Sequence, residues 1–70
     1  MFTEANKALI TAIEKGNPEA VRETLRAGAE VRFENDFPLR VAVWNNQMKI
    51  AAYLVEQGAD IHAVEEEGFA

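Results

Sequence analysis

The sequence predicts an all-α fold built from two stacked helix-turn-helix repeats. Gly28-Ala29-Glu30-Val31 recurs as Gly58-Ala59-Asp60-Ile61, at an offset of 30 residues. Glycine, asparagine and proline residues fall where helix ends need them, and the apolar residues between them recur at helical spacing. Self-similarity at a period of roughly 20 to 50 residues indicates a repeat architecture, so we expect each unit to contain two short helices joined by a tight turn.

The helix boundaries follow from the turn residues. Asn17 can accept a hydrogen bond from the free amides of the next helix, Pro18 suits the first helical position, and Glu19 favours the positive end of the helix dipole. A helix is therefore expected to begin at residue 18. It should end at Gly28, because glycine readily takes the positive φ that closes a last helical turn, and Gly58 should end the corresponding helix of the second unit.

The predicted core consists of one apolar stripe from each helix. The stripes are Ala5, Ala8, Leu9, Ala12 and Ile13; Ala20, Val21, Thr24 and Leu25; Leu39, Ala42 and Val43; and Ile50, Ala51, Leu54 and Val55. The alanines allow paired helices to approach closely. We expect Tyr53 to pack among the core positions, and Phe2 and Phe69 to cover the two ends of the stack.

A recognisable motif lies in the second unit. Residues 37–42 read FPLRVA, Asn46 follows Pro38 by eight residues, and residues 50–63 read IAAYLVEQGADIHA. With these motifs the sequence resembles the ankyrin repeat family. The family has T-P-L-H-x-A where this chain has residues 37–42, and it usually has glycine in the place of Asn46. Its second helix and the loop that follows closely resemble residues 50–63. The resemblance covers residues 5–68. It implies antiparallel helix pairs stacked in an L-shaped layer, with short β-turn fingers between them.

Domain boundaries follow from the resemblance. We expect residues 1–70 to form a single domain, with a capping repeat at 3–33, a second repeat at 34–63 and a truncated finger of a third repeat at 64–70. The link from Gly28 to Pro38 is about three residues shorter than a typical repeat of roughly 33 residues would give, so the finger between the repeats should be shortened. Phe37 replaces the threonine that normally caps the helix, which leaves Asp36 as the candidate cap.

Composition excludes several classes of function. The chain has no cysteine, no serine and a single histidine, His62, so the nucleophile–base pairs of common hydrolases are missing. The glycines stand singly at helix ends and form no phosphate loop. His62 beside residues 65–67 has too few nitrogen or sulfur neighbours for a zinc site. We therefore expect no enzymatic activity, no cofactor, no metal and no small-molecule substrate.

Charge and hydropathy restrict the partners. Seven basic and twelve acidic residues give a net charge of −5, which argues against direct nucleic-acid binding. No apolar run approaches the roughly 20 residues that a membrane helix needs. Without cysteine or a signal-peptide pattern at the start, the sequence predicts a cytoplasmic protein.

The resemblance implies a non-catalytic module that binds a protein partner through finger tips and the exposed end of the first helix of each repeat. The residues at those positions are Glu14, Lys15, Arg32, Phe33, Glu34, Asn35, Trp44, Asn45, His62, Glu66 and Glu67, with Val64 beside them. Trp44 follows the apolar stripe of its helix, and tryptophan is enriched in interface hot spots. With Phe33 and Phe37 it would form an apolar patch with a charged rim. The alternative expectation, given equal weight, is that Trp44 and Phe33 pack over the edge of the small core and are not available to a partner.

Two other functions fit the sequence. The acidic residues 65–67 would suit a small inhibitor of viral or phage type that occludes a basic nucleic-acid-binding groove on a partner complex. Alternatively, the open faces of the stack would associate with a second copy as a homodimer, since repeats of this kind bury their faces against neighbours.

Overall fold

Five helices account for most of the chain in the computed structural model, which describes the backbone of residues 3–66 and the side chains of residues 3–64. They are α1 (Glu4–Lys15), α2 (Pro18–Arg26), α3 (Phe33–Trp44), α4 (Met48–Glu56) and α5 (Ile61–Glu66). Within residues 3–66 there is no strand. The all-α prediction is therefore confirmed, and α1–α2 and α3–α4 form the two predicted helix pairs.

The turns inside the two helix pairs have the same backbone geometry. The residue that closes the first helix is in the left-handed region in both turns, at Gly16 with a φ of 68° and at Asn46 with a φ of 56°. The following N–H then bonds back to the helix, from Asn17 to the Ala12 carbonyl (3.1 Å) and from Gln47 to the Ala42 carbonyl (2.8 Å). The positive φ of Asn46 confirms the prediction that this residue stands in a glycine position. Asparagine can do so because it tolerates the left-handed conformation better than most residues.

The predicted helix ends are also confirmed. The Asn17 side chain accepts a hydrogen bond from the Ala20 N–H at 3.3 Å, and Pro18 is the first residue of α2. At the other end of the second helix in each pair, Gly28 has a φ of 111° and Gly58 a φ of 113°. These are local signals. The glycine produces the same helix end in both repeats, whereas the asparagine cap and the proline belong to the first repeat, since α4 begins after Gln47 without a side-chain cap.

The link between the repeats is a left-handed turn and contains no β-hairpin. Glu34, Asn35 and Asp36 have φ values of 51°, 60° and 61°, so the regular right-handed part of α3 begins only after them. A short link cannot extend into a hairpin, and asparagine and aspartate accept left-handed conformations more readily than most residues. The left-handed turn therefore occupies the three residues between Phe33 and Phe37.

The segment after the second repeat begins as a helix. The sequence predicts a finger over residues 63–68, but residues 61–66 form α5, and residues 67–70 lie outside the described part of the chain. Val64 is buried, and the Ala63 carbonyl accepts a hydrogen bond from Arg40 Nη2 at 3.5 Å. Helix α5 thus packs against α3.

The core draws on every helix, with some differences from the predicted stripes. The buried apolar residues are Leu9, Ala12, Ile13, Val21, Phe33, Leu39, Val41, Ala42, Ile50, Ala51, Leu54, Ala59 and Val64. Helix α3 packs against α1, α4 and α5, so Pro38 and Val41 are buried there, whereas Ala8 and Thr11 at the equivalent positions of α1 are exposed. Val55 is also exposed, because no described helix covers that side of α4.

In each repeat, one buried polar side chain links the first helix to the loop after the second helix, and these two side chains are thirty positions apart. Asn6 has 0% and Asp36 1% of its surface exposed. Asn6 Oδ1 accepts a hydrogen bond from the Glu30 N–H at 2.9 Å, and Asp36 Oδ1 accepts one from the Asp60 N–H at 3.1 Å. We call these two bonds the amide clamps. Each joins the beginning of the first helix of a repeat to the loop that follows its second helix.

The carboxylate of Asp36 also binds Arg32. Its two oxygens accept hydrogen bonds from Arg32 Nε at 3.2 and 3.3 Å and from Nη2 at 3.1 Å, and Arg32 Nη2 lies 3.8 Å from the Asp60 carboxylate. The expectation that Asp36 caps α3 needs correction. The backbone of Asp36 is in the left-handed turn, and its carboxylate is directed to Arg32 and the Asp60 amide.

Replacing Gly28 with alanine tests the positive-φ helix end. A Cβ at this position would meet no atom within 4 Å, so the expected cost comes only from the strained backbone, about 1–3 kcal/mol of unfolding free energy. Urea denaturation followed by circular dichroism measures this loss. Asn46→Gly is the control and should leave stability unchanged or raise it, since glycine relieves the strain there. Equal stability of Gly28→Ala and the wild type would show that the positive φ at this position carries no strain cost.

If the second amide clamp stabilises the fold, two substitutions of Asp36 should lower the free energy of unfolding by different amounts. Asp36→Ala leaves the partly buried Asp60 N–H without its acceptor and Arg32 without its carboxylate partner, and should lower the free energy of unfolding by about 1–3 kcal/mol. Asp36→Asn keeps an acceptor oxygen, as Asn6 does in the first repeat, and should cost clearly less. Both values come from the same denaturation experiment. If the asparagine and alanine variants are equally destabilised, the amide bond is not the important contact.

Candidate functional site

Three aromatic rings of α3 form a chain of contacts from the core to the surface. The ring centroids of Phe33 and Phe37 are 6.2 Å apart with an interplanar angle of 68°, and those of Phe37 and Trp44 are 5.9 Å apart at 75°. Such edge-to-face pairs contribute about 0.5–1.5 kcal/mol beyond the area they bury. We call these three residues the aromatic ladder. Exposure increases along it, from 6% for Phe33 through the half-buried Phe37 to 67% for Trp44.

The sequence left open whether Phe33 and Trp44 are exposed contacts or pack over the core, and the aromatic ladder gives a different answer for each ring. Phe33, predicted as a surface contact, is a core residue: it precedes the left-handed turn, its ring packs against that of Phe37, and it is buried. Trp44 is the exposed end of the ladder. Its edge contact with Phe37 positions the ring while most of its surface stays open to solvent.

The other predicted contacts form two groups at opposite ends of the first helices. One group is at the turn inside each pair, and the other is in the loops before α3 and at the beginning of α5. The first contains Glu14, Lys15, Trp44 and Asn45, and the second contains Arg32, Glu34, Asn35 and His62; all are exposed. The side chain of Glu66 and all of Glu67 lie outside the described residues. Val64, expected beside His62, is buried.

Trp44 belongs to a continuous surface on the first helices. Phe37 and Trp44 are seven residues apart and so lie on one face of α3, about two turns from each other. At the equivalent positions of α1 stand Lys7 and Glu14, which are both exposed. We call these four residues the inner-helix surface. Sequence analysis did not single out Lys7, although its offset of 30 from Phe37 identifies it.

In the second group of predicted contacts, Arg32, Glu34, Asn35 and His62, two residues form hydrogen bonds that stabilise the fold. Arg32 holds the carboxylate of Asp36 and lies near that of Asp60, although 57% of its side chain is exposed. The His62 N–H donates to Asp60 Oδ1 at 2.9 Å. Because these bonds maintain the second amide clamp, Arg32 has a structural role that its sequence position did not reveal.

A second exposed apolar area lies on α4, which also borders a cleft. Met48 is 53% and Val55 37% exposed. The cleft between α2 and α4 has a volume of about 270 Å³ and is lined by Pro18, Val21, Arg22, Lys49, Ile50 and Tyr53. The Arg22 guanidinium lies 5.7 Å from the centre of the Tyr53 ring, so the half-buried Tyr53 packs at this boundary.

The described residues contain no group of three or more potential metal ligands. In the same part of the chain, every buried side-chain nitrogen or oxygen atom has a hydrogen-bond partner. No helix there is both long and apolar enough to span a bilayer. Among the described residues, the inner-helix surface and α4 carry exposed side chains.

Comparison with known families gives a match over nearly the whole chain. A family model described as ankyrin repeats (3 copies) matches residues 2–65. No curated protein and no solved structure matches the chain. The matched range includes both helix pairs, both amide clamps and the described inner-helix surface.

Loss of the Phe37 ring should loosen Trp44 without moving it into the core. Trp44 is the single tryptophan of the sequence and so reports on this contact directly. In Phe37→Leu we expect a weaker near-ultraviolet circular dichroism signal and lower steady-state fluorescence anisotropy of Trp44, because the edge contact is lost. The emission maximum should change little, since the ring is already exposed. An unchanged anisotropy and dichroism signal would show that Phe37 does not hold Trp44.

Proposed function

The chain belongs to the ankyrin repeat family, and on this premise we propose that it is a non-catalytic module that binds a protein partner through Trp44 and the inner-helix surface. Ankyrin repeats generally mediate protein–protein interaction. The proposal assigns the contact to one surface of this chain and to one central residue.

The observation that carries the proposal is an exposed tryptophan held in place. Trp44 is 67% exposed, yet its ring is fixed by the edge contact with Phe37. A large ring that is already ordered loses little conformational freedom on binding, and tryptophan is among the residues most enriched in hot spots. Both properties favour Trp44 as the anchor of a protein interface.

The surroundings of Trp44 supply a polar rim. Asn45 follows it, and Glu14 and Lys15 occupy the equivalent positions at the end of α1. Interfaces commonly combine an apolar centre with a polar, solvent-exposed rim that excludes water from the central contact. Glu34, Asn35 and His62 at the other end of the helices would contact only a partner that extends along the whole inner-helix surface.

The class of partner is inferred from charge and composition. A net charge of −5 disfavours a nucleic acid and favours a protein with a neutral or basic surface. The absence of cysteine from the sequence is compatible with the reducing cytoplasm, where we place the interaction. The non-catalytic character of the proposal rests on the family.

Trp44→Ala provides the direct test. Wild-type and variant chains are immobilised at equal density and used to capture partners from an extract of the source cells, which are identified by mass spectrometry. We expect the variant to lose its specific partners, with at least a roughly 30-fold loss of affinity for any that is purified, as for a hot-spot residue that contributes 2 kcal/mol or more.

Arg26→Ala is the control, because it shortens another long side chain of similar exposure on a different helix, α2, outside both exposed areas described above. It should retain the partners. Both variants should remain folded in the absence of urea, with Trp44→Ala losing no more than the roughly 0.5–1.5 kcal/mol of its edge contact with Phe37. A folded Trp44→Ala variant that captures every wild-type partner would show the proposed surface to be wrong. Binding that survives this substitution but weakens steeply with salt would favour the acidic inhibitor of a basic groove.

A further inference from the structure

One side of α4 carries an apolar stripe that no described helix covers. Met48, Ala52 and Val55 are exposed and spaced so that they lie on one face of the helix. Ile50 and Tyr53 line the cleft toward α2 and therefore define a different face, and Lys49, which also borders the cleft, lies at the edge between the two faces. We call Met48, Ala52 and Val55 the α4 stripe.

The first repeat shows why this stripe is open. The equivalent residues of α2 are Pro18, Arg22 and Leu25, of which Pro18 and Arg22 line the cleft against α4 and Leu25 is half-buried. In α2 this side of the helix therefore faces the next repeat. In α4 the same side is directed away from α2, and within residues 3–66 nothing is stacked on it.

Beside the α4 stripe there is a positive charge near the beginning of the helix, on Lys49, and a negative charge at its end, on Glu56. Lys49 and Glu56 are the charged residues of α4, they are seven positions apart, and both are exposed on the same edge of the stripe. Neither forms an ion pair with another described residue. The charges of α2, in contrast, are paired within the helix, Arg22 with Glu19 at 3.2 Å and Arg26 with Glu23 at 2.8 Å.

We propose that the α4 stripe is a homodimer interface in which α4 packs antiparallel against α4 of a second copy. A two-fold axis near Ala52 makes the surface complementary to itself. The small side chain of Ala52 lets the helices approach closely, and Met48 of each copy lies near Val55 of the other.

The charges favour a second copy in this orientation over other occupants. In an antiparallel pair, Lys49 of each copy faces Glu56 of the other copy, so both ends of the interface gain an ion pair. A parallel two-fold pair would place this edge of the two helices on opposite sides of the interface, so neither ion pair would form. The stripe also lies on a different helix from Trp44, so dimerisation leaves the inner-helix surface available to a partner.

Charge reversal tests the pairing. Sedimentation equilibrium over a wide range of concentrations should show a monomer–dimer equilibrium for the wild type. Lys49→Glu and Glu56→Lys should each weaken the dimer by on the order of 10-fold, because each places like charges at both ends of the interface. The double variant Lys49→Glu/Glu56→Lys should restore the wild-type affinity. An equimolar mixture of the two single variants should form heterodimers more tightly than either variant forms homodimers.

Two further variants complete the experiment. Ala52→Glu should abolish the dimer at every concentration, because it places charge at the two-fold axis, while Trp44→Ala should dimerise like the wild type. Circular dichroism verifies that each variant is folded. A wild type that stays monomeric at the highest attainable concentration, a double variant no better than the single ones, or loss of the dimer in Trp44→Ala would each overturn the proposal. The capture experiment with Trp44→Ala has an independent outcome, so failure of one proposal does not imply failure of the other.

Discussion

The amide clamps are the contacts on which the arrangement of this small protein depends. Asn6 and Asp36 are buried polar side chains, and each binds a backbone N–H that lies 24 residues further along the chain. A chain of 70 residues buries only a modest apolar core, so a few well-satisfied polar contacts have a large effect on its stability. By joining the first helix of a repeat to the exit of its second helix, each clamp holds one repeat closed.

The second clamp also determines the position of the aromatic ladder. Asp36 reaches the Asp60 amide from a left-handed turn, and that turn lies between Phe33 and Phe37. Phe33 is thereby placed in the core, while Phe37 supports the exposed ring of Trp44. A substitution that weakens the clamp should therefore disturb the inner-helix surface, even though none of its bonds involves Trp44.

A stack of two helix pairs leaves more helix surface open than a longer repeat array does. In α3, neighbours on both sides bury positions that are exposed in α1. The outer side of α4 is open for the same reason. The structure thus presents two separate areas, the inner-helix surface and the α4 stripe, and the two proposals assign a different occupant to each of them. Association at the stripe would bring two Trp44 surfaces together in one assembly and increase its avidity for a multivalent partner.

Local signals in the sequence determined the helices and their ends. The cap at Asn17 with Pro18, the positive φ at Gly28 and Gly58, and the glycine-like conformation of Asn46 each depend on residues within one turn. The 30-residue offset repeats the positive-φ positions in both units, while the asparagine cap belongs to the first unit. The family resemblance was correct for the same reason, since its motifs are mostly such local signals. The tertiary structure alone decided that Phe33 is buried, that Trp44 is exposed and that Asp36 binds a distant amide. These outcomes depend on which segments meet across 24 or more residues and on which helix faces find a neighbour, and helical periodicity is the same whether a face is covered or open.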